Sequence, residues 1–266
     1  MNLAHVRSVI RRERRELLRN KLILFTMAIV PTSLVLVTMG TEAALLSLPD
    51  EEVSAADLAT MPPEMAARFS ALGARAAMLV LLNEQFLSML LIIAAALPST
   101  IASHSVIGEK VERTLEPLLA TPIATGDLLL GKCLVAVIPS AIITLMAYVV
   151  TTVAIGILTP AAVLAMAIRP VWPLAFLLLA PMIAMCSALL SILLSSRVSD
   201  PRTAQGLSGF LVIPILGMGV GSLLGAVELS PGNVLAFSAV ILIANLALLQ
   251  LVSRLFARET ILTRWK

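Results

Sequence analysis

The sequence predicts an all-α integral membrane protein with six transmembrane helices, an N-terminal amphipathic interfacial helix and a short cytoplasmic helix between spans two and three. Apolar residues make up 59% of the 266 residues and charged residues only 13%, whereas soluble domains are about half apolar and about a quarter charged. Six apolar segments each approach the roughly 20 residues that a helix needs to cross a bilayer. A mean hydropathy of +1.01 agrees with this class.

Residues 1–21 are predicted to form an amphipathic helix on the cytoplasmic membrane surface. They carry seven basic side chains, and Leu3, Val6, Ile10 and Leu17 lie between these on one stripe. A basic helix with an apolar stripe binds the headgroup region of an anionic leaflet. The alternative is a disordered basic tail that only orients the first span.

A six-span transmembrane domain is predicted over residues 22–256, with a cytoplasmic tail over 257–266. Backbone amides in lipid must be satisfied within the segment, so the apolar runs are predicted to be helices. The spans are predicted at Leu22–Leu45, Ala77–Ser103, Leu128–Leu158, Val171–Ser195, Leu207–Val227 and Val234–Phe256.

The distribution of basic residues predicts the orientation of the spans. If the N-terminus is cytoplasmic, sixteen of the nineteen Lys and Arg residues lie on the cytoplasmic side and three on the other. Cytoplasmic loops carry the excess of Lys and Arg in membrane proteins. Both termini and the 104–127 segment are therefore predicted to be cytoplasmic, and the 42–76 segment is predicted to be an external loop.

The 104–127 segment interrupts the apolar pattern with an ordered polar stretch. Glu109 and Arg113 are four residues apart with the acid first, the favourable order for a helical ion pair. Thr114 can cap a turn, and Pro122 ends it. The apolar residues recur at helical spacing on one face: Val111, Leu115, Leu118 and Leu119. The pattern predicts a short amphipathic helix at the membrane exit.

A phosphate-binding loop is excluded in this region, although Gly126–Lys132 matches its regular expression. Such a loop needs a preceding strand and a Ser or Thr after the lysine. Here three leucines fill the interior, Cys133 follows the lysine and a span comes next. The chain is therefore predicted to bind no nucleotide.

The remaining groups that could carry chemistry predict no catalytic or metal site. Gly206–Gly209 resembles a rhomboid protease motif, but no histidine follows Ser208 to act as its base. Cys133 and Cys186 lie in or beside apolar runs, and their spacing indicates neither a disulfide nor a metal site. The basic net charge is concentrated at the membrane surface, so nucleic acid is not a predicted partner.

Polar side chains within the spans are candidates for a transport pathway. Glu84 lies in the outer third of span two, Tyr148 in span three and Asn245 in span six. Charged and polar groups inside a membrane usually face protein or a water-filled route. For Glu84, the alternative is an interfacial carboxylate that reaches outward to water.

Gly217, Gly221 and Gly225 recur every four residues in span five. Small residues at this spacing allow two membrane helices to approach closely. The pattern predicts a helix-packing or dimer interface, within or between chains. The alternative is a flexible span.

The polar stretch resembles the signature region of type-2 ABC exporter permeases, the membrane subunits of ATP-binding-cassette export systems. Those chains typically combine Gly-Glu-Lys, Thr-Leu-Glu, Leu-Leu-Ala-Thr-Pro-Ile and Leu-Leu-Gly-Lys. The matching residues are Gly108–Lys110, Thr114–Glu116, Leu118–Ile123 and Leu129–Lys132. The common Arg-Gly before the threonine is Glu112-Arg113 here, which changes charge but not length.

The resemblance implies that the polar stretch is a cytoplasmic coupling helix that docks on a separate ABC ATPase subunit. The ATPase subunit would bind ATP and Mg, and this chain would hold no cofactor. A second copy of the permease, the lipid bilayer of the cell membrane and alternating-access export are also implied. The docking residues implied are Glu109, Arg113, Thr114, Leu115, Glu116, Leu118, Leu119 and Pro122.

Two other functions stay open at this point. An ATP-independent channel or secondary transporter would move solute without an ATPase. A non-transporting membrane scaffold subunit would recruit a partner through the polar stretch. The substrate is not predicted by any residue.

Overall fold

The computed structural model describes residues 3–49, 73–111, 125–195, 203, 206, 209–223 and 230–255, and these residues form helices and short connections without any strand. The helices are α1 (Leu3–Arg19), α2 (Lys21–Ser47), α3 (Ala74–Val111), α4 (Thr125–Leu158), α5 (Ala161–Ala167), α6 (Val171–Ser195), α7 (Val212–Leu223) and α8 (Pro231–Leu255). A 3₁₀ turn at Gly209–Leu211 precedes α7, and α6 contains a π-helical turn at Ala175–Leu179. The all-helical prediction is confirmed for the described residues.

Five helices in the described part of the chain, α2, α3, α4, α6 and α8, are long and apolar enough to cross a membrane. They correspond to five of the six predicted spans. The remaining predicted span, Leu207–Val227, includes α7, which has 12 described residues. The structure therefore supports a multi-pass membrane bundle.

Three helices extend beyond the apolar runs that predicted them. The 38 residues of α3 continue into the predicted cytoplasmic segment as far as Val111, and α4 begins at Thr125. Similarly, α2 continues to Ser47, inside the segment predicted to be the external loop. Apolar runs indicate the part of a helix that lies in hydrocarbon, whereas the helix itself continues where protein or water satisfies its side chains.

The most deeply buried helix is α3, which packs against α2, α4, α5, α6 and α7. Its contact with α6 includes hydrogen bonds from Ser187 Oγ to the Ala95 carbonyl and from Ser191 Oγ to the Ser99 carbonyl. The donors and the acceptors are each four residues apart and run in the same direction, so α3 and α6 are parallel neighbours. Small serine side chains allow this close approach.

Three apolar layers follow the bundle axis. Leu17, Ile23, Ile101, Leu129 and Val252 belong to one layer, at what we call the N-terminal end of the bundle. A central layer contains residues of α2, α3, α4, α6, α7 and α8. The third layer, at the far end, contains Leu45, Ala77, Leu79, Val80 and Val163. The start of α2 and the end of α8 therefore lie at the same end of the bundle.

Candidate functional site

The N-terminal helix α1 packs against the bundle and buries an acidic residue. Glu13 is only 4% exposed, although α1 otherwise presents arginines to its surroundings. It follows Val6 by seven residues and precedes Leu17 by four, so it lies on the apolar stripe of the helix. The apolar stripe of α1 thus includes a carboxylate, which lies in the contact between α1 and the bundle.

Glu13 forms a closed polar cluster with Lys132 and Ser105, which we call the Glu13 cluster. Lys132 Nζ lies 2.7 Å from Glu13 Oε1 and 2.8 Å from Ser105 Oγ. Ser105 Oγ donates to Glu13 Oε2 at 2.7 Å. Both charged side chains are buried, and charge-assisted bonds of this length are strong. The cluster joins α1 to the last part of α3 and the first turns of α4.

A glycine beside the cluster allows α1 and α4 to approach closely. A Cβ atom at Gly131 would lie 2.7 Å from Val9 Cγ1 and 2.9 Å from Val9 Cβ. Real Cβ atoms do not approach other carbons so closely, so any larger residue would separate the helices. The Leu-Leu-Gly-Lys sequence that enters α4 thus supplies both the steric contact and the cation of the Glu13 cluster.

An open cavity of about 420 Å³ adjoins the Glu13 cluster between α1, α3 and α4. Arg12, Glu16 and His104 contribute polar groups to its wall, while Ile101 and Val135 contribute apolar surface. Arg12 pairs with Glu16 at 3.2 Å on the exposed side of α1. The N-terminal end thus combines one tight contact with one open volume.

The Glu13 cluster lies close in sequence to both ends of the predicted docking segment. Ser105 is on α3, which ends at Val111, and Lys132 is on α4, which begins at Thr125. Most docking residues lie outside the described residues, and the side chain of Glu109 does as well. These predictions stay untested: Glu109, Arg113, Thr114, Leu115, Glu116, Leu118, Leu119 and Pro122.

Sequence reasoning missed Glu13, Ser105 and Lys132 as a joint site. The signal for Glu13 was its position on the apolar stripe of α1, at helical spacing from Val6 and Leu17. A charge on a packed face needs a partner of opposite charge. Nothing in the sequence identifies Lys132 as that partner, because 119 residues separate the two.

The predicted pathway residue Glu84 forms an ion pair at the far end. Its Oε1 lies 3.3 Å from Nη1 of Arg169, and its side chain is 6% exposed. Arg169 belongs to the connection between α5 and α6, so the pair links that connection to α3. Glu84 therefore faces protein, which is one of the two environments expected for an intramembrane carboxylate.

The other two predicted pathway residues lie in separate helix contacts. Tyr148 on α4 stacks on Phe176 of the α6 π-helical turn, with ring centroids 4.4 Å apart and planes inclined by 17°. Asn245 on α8 donates from Nδ2 to the Met182 carbonyl of α6 at 3.0 Å. Each residue contacts α6, and their role in a pathway stays a prediction.

The glycines predicted to pack helices are partly described. Gly217 is exposed, and a Cβ atom added there would have no heavy atom within 4 Å. Gly221 is half-buried in α7, whereas Gly225 lies outside the described residues. Gly131 has a neighbouring helix within 4 Å of an added Cβ atom, whereas Gly217 has no such neighbour.

The two cysteines are free and buried in α4 and α6. In the described part of the chain, no three His, Cys, Asp or Glu residues come together in a way that could hold a metal ion.

The comparison with protein families matches residues 7–259 to a family described as ABC-2 family transporter protein. No curated protein matches the chain. Members of this family are membrane components of transporters, are not themselves catalytic, and normally work with an ATP-binding subunit. The match covers nearly the whole chain, from α1 to beyond the end of α8, so the chain belongs to the ABC-2 transporter family and is a multi-pass membrane permease.

Proposed function

We propose that this chain is the permease subunit of an ABC exporter, and that a separate ATPase subunit drives it between inward-open and outward-open states. The observation that carries this proposal is the Glu13 cluster, which bonds α1 to the two helices that flank residues 112–124. A partner can shift a membrane equilibrium only through contacts that differ between its states. The Glu13 cluster would transmit such a difference from residues 112–124 to α1, α3 and α4.

We further propose six spans with both termini in the cytoplasm. The start of α2 and the end of α8 share one apolar layer, which supports an even number of crossings. Because α3 and α6 are parallel and α6 ends near that layer, we infer one further crossing before α8, whose Val234 packs in the central layer and whose Val252 packs at the N-terminal end. The region around α7 is the candidate for this crossing. The excess of Lys and Arg supports assigning the N-terminal end to the cytoplasm of the cell membrane.

In this proposal the coupling helix supplies the docking surface for the ATPase. Leu115, Leu118 and Leu119 would fill an apolar groove, while Glu109, Arg113 and Glu116 would set the register through charge. ATP and Mg would bind to the ATPase subunit. A second permease copy would complete the transporter, and the exposed Gly217 is available for a contact between copies.

The test replaces docking residues and measures both assembly and turnover. Leu118→Ala and Glu116→Ala variants are co-purified with the cognate ABC ATPase, and ATP hydrolysis is measured in reconstituted vesicles. We expect at least about tenfold weaker association for the double variant, since truncating one hot-spot residue of an interface costs about 2 kcal/mol or more and about 1.4 kcal/mol is a factor of ten. Leu242→Ala is the matched control, because Leu242 is an exposed leucine on α8.

Three outcomes would contradict the proposal. Unchanged association and unchanged ATP turnover would remove the docking role from the 104–127 segment. Solute movement without ATP would identify a channel or secondary transporter. Association with an ATPase that never responds to solute would identify a scaffold subunit.

A further inference from the structure

A second buried acid lies at the far end of the bundle. Glu42 is on α2, five residues before the helix ends at Ser47, and its side chain is fully buried. Among the residues that the structure describes, neither Glu42 Oε1 nor Glu42 Oε2 has a hydrogen-bond partner. The acid is therefore enclosed by the bundle without the bonds that normally accompany burial.

Asn83 on α3 faces this carboxyl group and is equally buried. The two side chains are close enough to interact, yet Asn83 Oδ1 and Nδ2 form no hydrogen bond of normal geometry within the described residues. Glu84, the next residue on α3, pairs with the guanidinium of Arg169. Glu42 and Asn83 thus present several unused polar atoms to one another, and we call them the Glu42–Asn83 pair.

The Glu42–Asn83 pair has the features of a binding site. Burying polar atoms without partners costs free energy, and the cost is greatest for an ionised group such as a carboxylate. Ionisable groups inside a membrane domain are usually retained for ligands or pathways. A ligand that supplies the missing donors would recover this free energy.

We propose that the Glu42–Asn83 pair binds the primary ammonium group of a transported amphiphile. A primary ammonium has three N–H donors, and the pair offers three acceptors, the two carboxylate oxygens and Asn83 Oδ1. Calcium requires about six to eight oxygen ligands, so three acceptors suit an ammonium group better. The inference rests on the proposed export function and names the chemical class of its cargo.

The position of α2 gives such a ligand a route to the pair. Most of the apolar surface of α2 is exposed, whereas α3 is buried on nearly all sides. The main contacts of α2 in the bundle are with α1, α3 and α4. A small separation of α2 from α3 would expose all three acceptors together. An amphiphile could then place its ammonium group between the helices and its tail against the apolar face of α2.

The test compares two probes of equal charge and tail, of which one has three N–H donors and the other has three methyl groups in their place. Dodecylammonium and dodecyltrimethylammonium carry the same charge and tail, but the second has no N–H group. Binding to the full chain is measured by scintillation proximity in phosphatidylcholine nanodiscs. We expect wild type to bind dodecylammonium at least about tenfold more tightly, because charge-assisted hydrogen bonds are the strong ones. Glu42→Gln should abolish the difference, and Asn83→Leu should reduce it.

The control is Glu16→Gln, which makes the same charge change on the exposed side of α1 and should keep the preference. Equal binding of the two probes to wild type, or an undiminished preference in Glu42→Gln, would overturn the inference. The wild-type comparison and Asn83→Leu decide the question if Glu42→Gln does not fold. Binding is measured without an ATPase, so its failure is distinct from failure of the proposed coupling.

Discussion

Glu13 and Glu42 are acids buried between helices at opposite ends of the bundle, and they differ in their hydrogen bonding. At the N-terminal end, both oxygens of Glu13 are bonded, one to Lys132 and the other to Ser105. At the far end, both oxygens of Glu42 lack a hydrogen-bond partner among the described residues. Glu42 is at least as well buried as Glu13, so burial does not explain the difference.

The difference indicates what each end is built to do. A fully bonded charge cluster fixes the helices that contribute to it, since separating them would leave buried charges alone. An acid without bonds favours any rearrangement or ligand that provides them. We therefore interpret the N-terminal end as the part that transmits motion as a unit, and the far end as the part that opens and binds.

The largest effect is expected from breaking the bonded cluster. Lys132→Met removes the cation and leaves Glu13 buried without its ion-pair partner. Breaking a buried pair in this way costs about 3–5 kcal/mol. We expect the free energy of unfolding to fall by that amount, measured by denaturant titration in mixed micelles.

The double variant Glu13→Gln/Lys132→Met separates charge from packing. Because it removes both charges, it should recover a large part of the lost stability. A double variant that is no more stable than Lys132→Met would show that the buried charge is not the source of the loss. In that case the ion pair of Glu13 would not account for the difference that we draw between Glu13 and Glu42.

A smaller loss is expected from crowding the same contact. Gly131→Ala would place Cβ 2.7 Å from Val9 Cγ1. Overpacking of this kind costs about 1–3 kcal/mol, and we expect α1 to loosen from α4. Limited proteolysis near residue 20, together with denaturant titration, would measure both effects.

Two variants sharpen the interpretation of Gly131→Ala. Val9→Ala removes Cγ1, the nearest atom, but keeps Cβ at 2.9 Å, so it should restore only part of the stability in the double variant. Gly40→Ala is the matched control on α2, because a Cβ atom there meets nothing within 4 Å. An equal loss at Gly40 and Gly131 would contradict a steric explanation.

The helices of this bundle were largely predictable from sequence, whereas their ends were not. The long apolar run Val171–Ser195 is helical throughout its length in α6. The continuation of α3 from Ser103 to Val111 was missed, because polar residues after Ser103 interrupt the apolar run while the helix continues. Hydropathy indicates which part of a helix lies in hydrocarbon, and α3 continues beyond that part.

The candidate sites were less predictable, because they depend on pairs that are distant in sequence. Glu13 could have been identified from its place on the α1 stripe, but its partner Lys132 could not. Glu42 lies where the predicted first span, Leu22–Leu45, overlaps the predicted external loop, 42–76, so the sequence does not predict its burial. Its burial depends on contacts of α2 with α3 and α4, which a single-helix pattern does not contain.

The smallest expected effect belongs to Asn245. Its hydrogen bonding is intermediate between that of Glu13 and that of Glu42. Its Nδ2 donates to the Met182 carbonyl, while its Oδ1 has no hydrogen-bond partner in the described part of the chain. Hydrogen bonds between membrane helices contribute about 0.6 kcal/mol on average, so Asn245→Leu should cost less than about 1 kcal/mol of stability. The pathway prediction adds that cargo-stimulated ATP turnover should fall although the fold is retained. A clear loss of stability with normal turnover would instead assign Asn245 to helix packing, the role that we give to the Glu13 cluster.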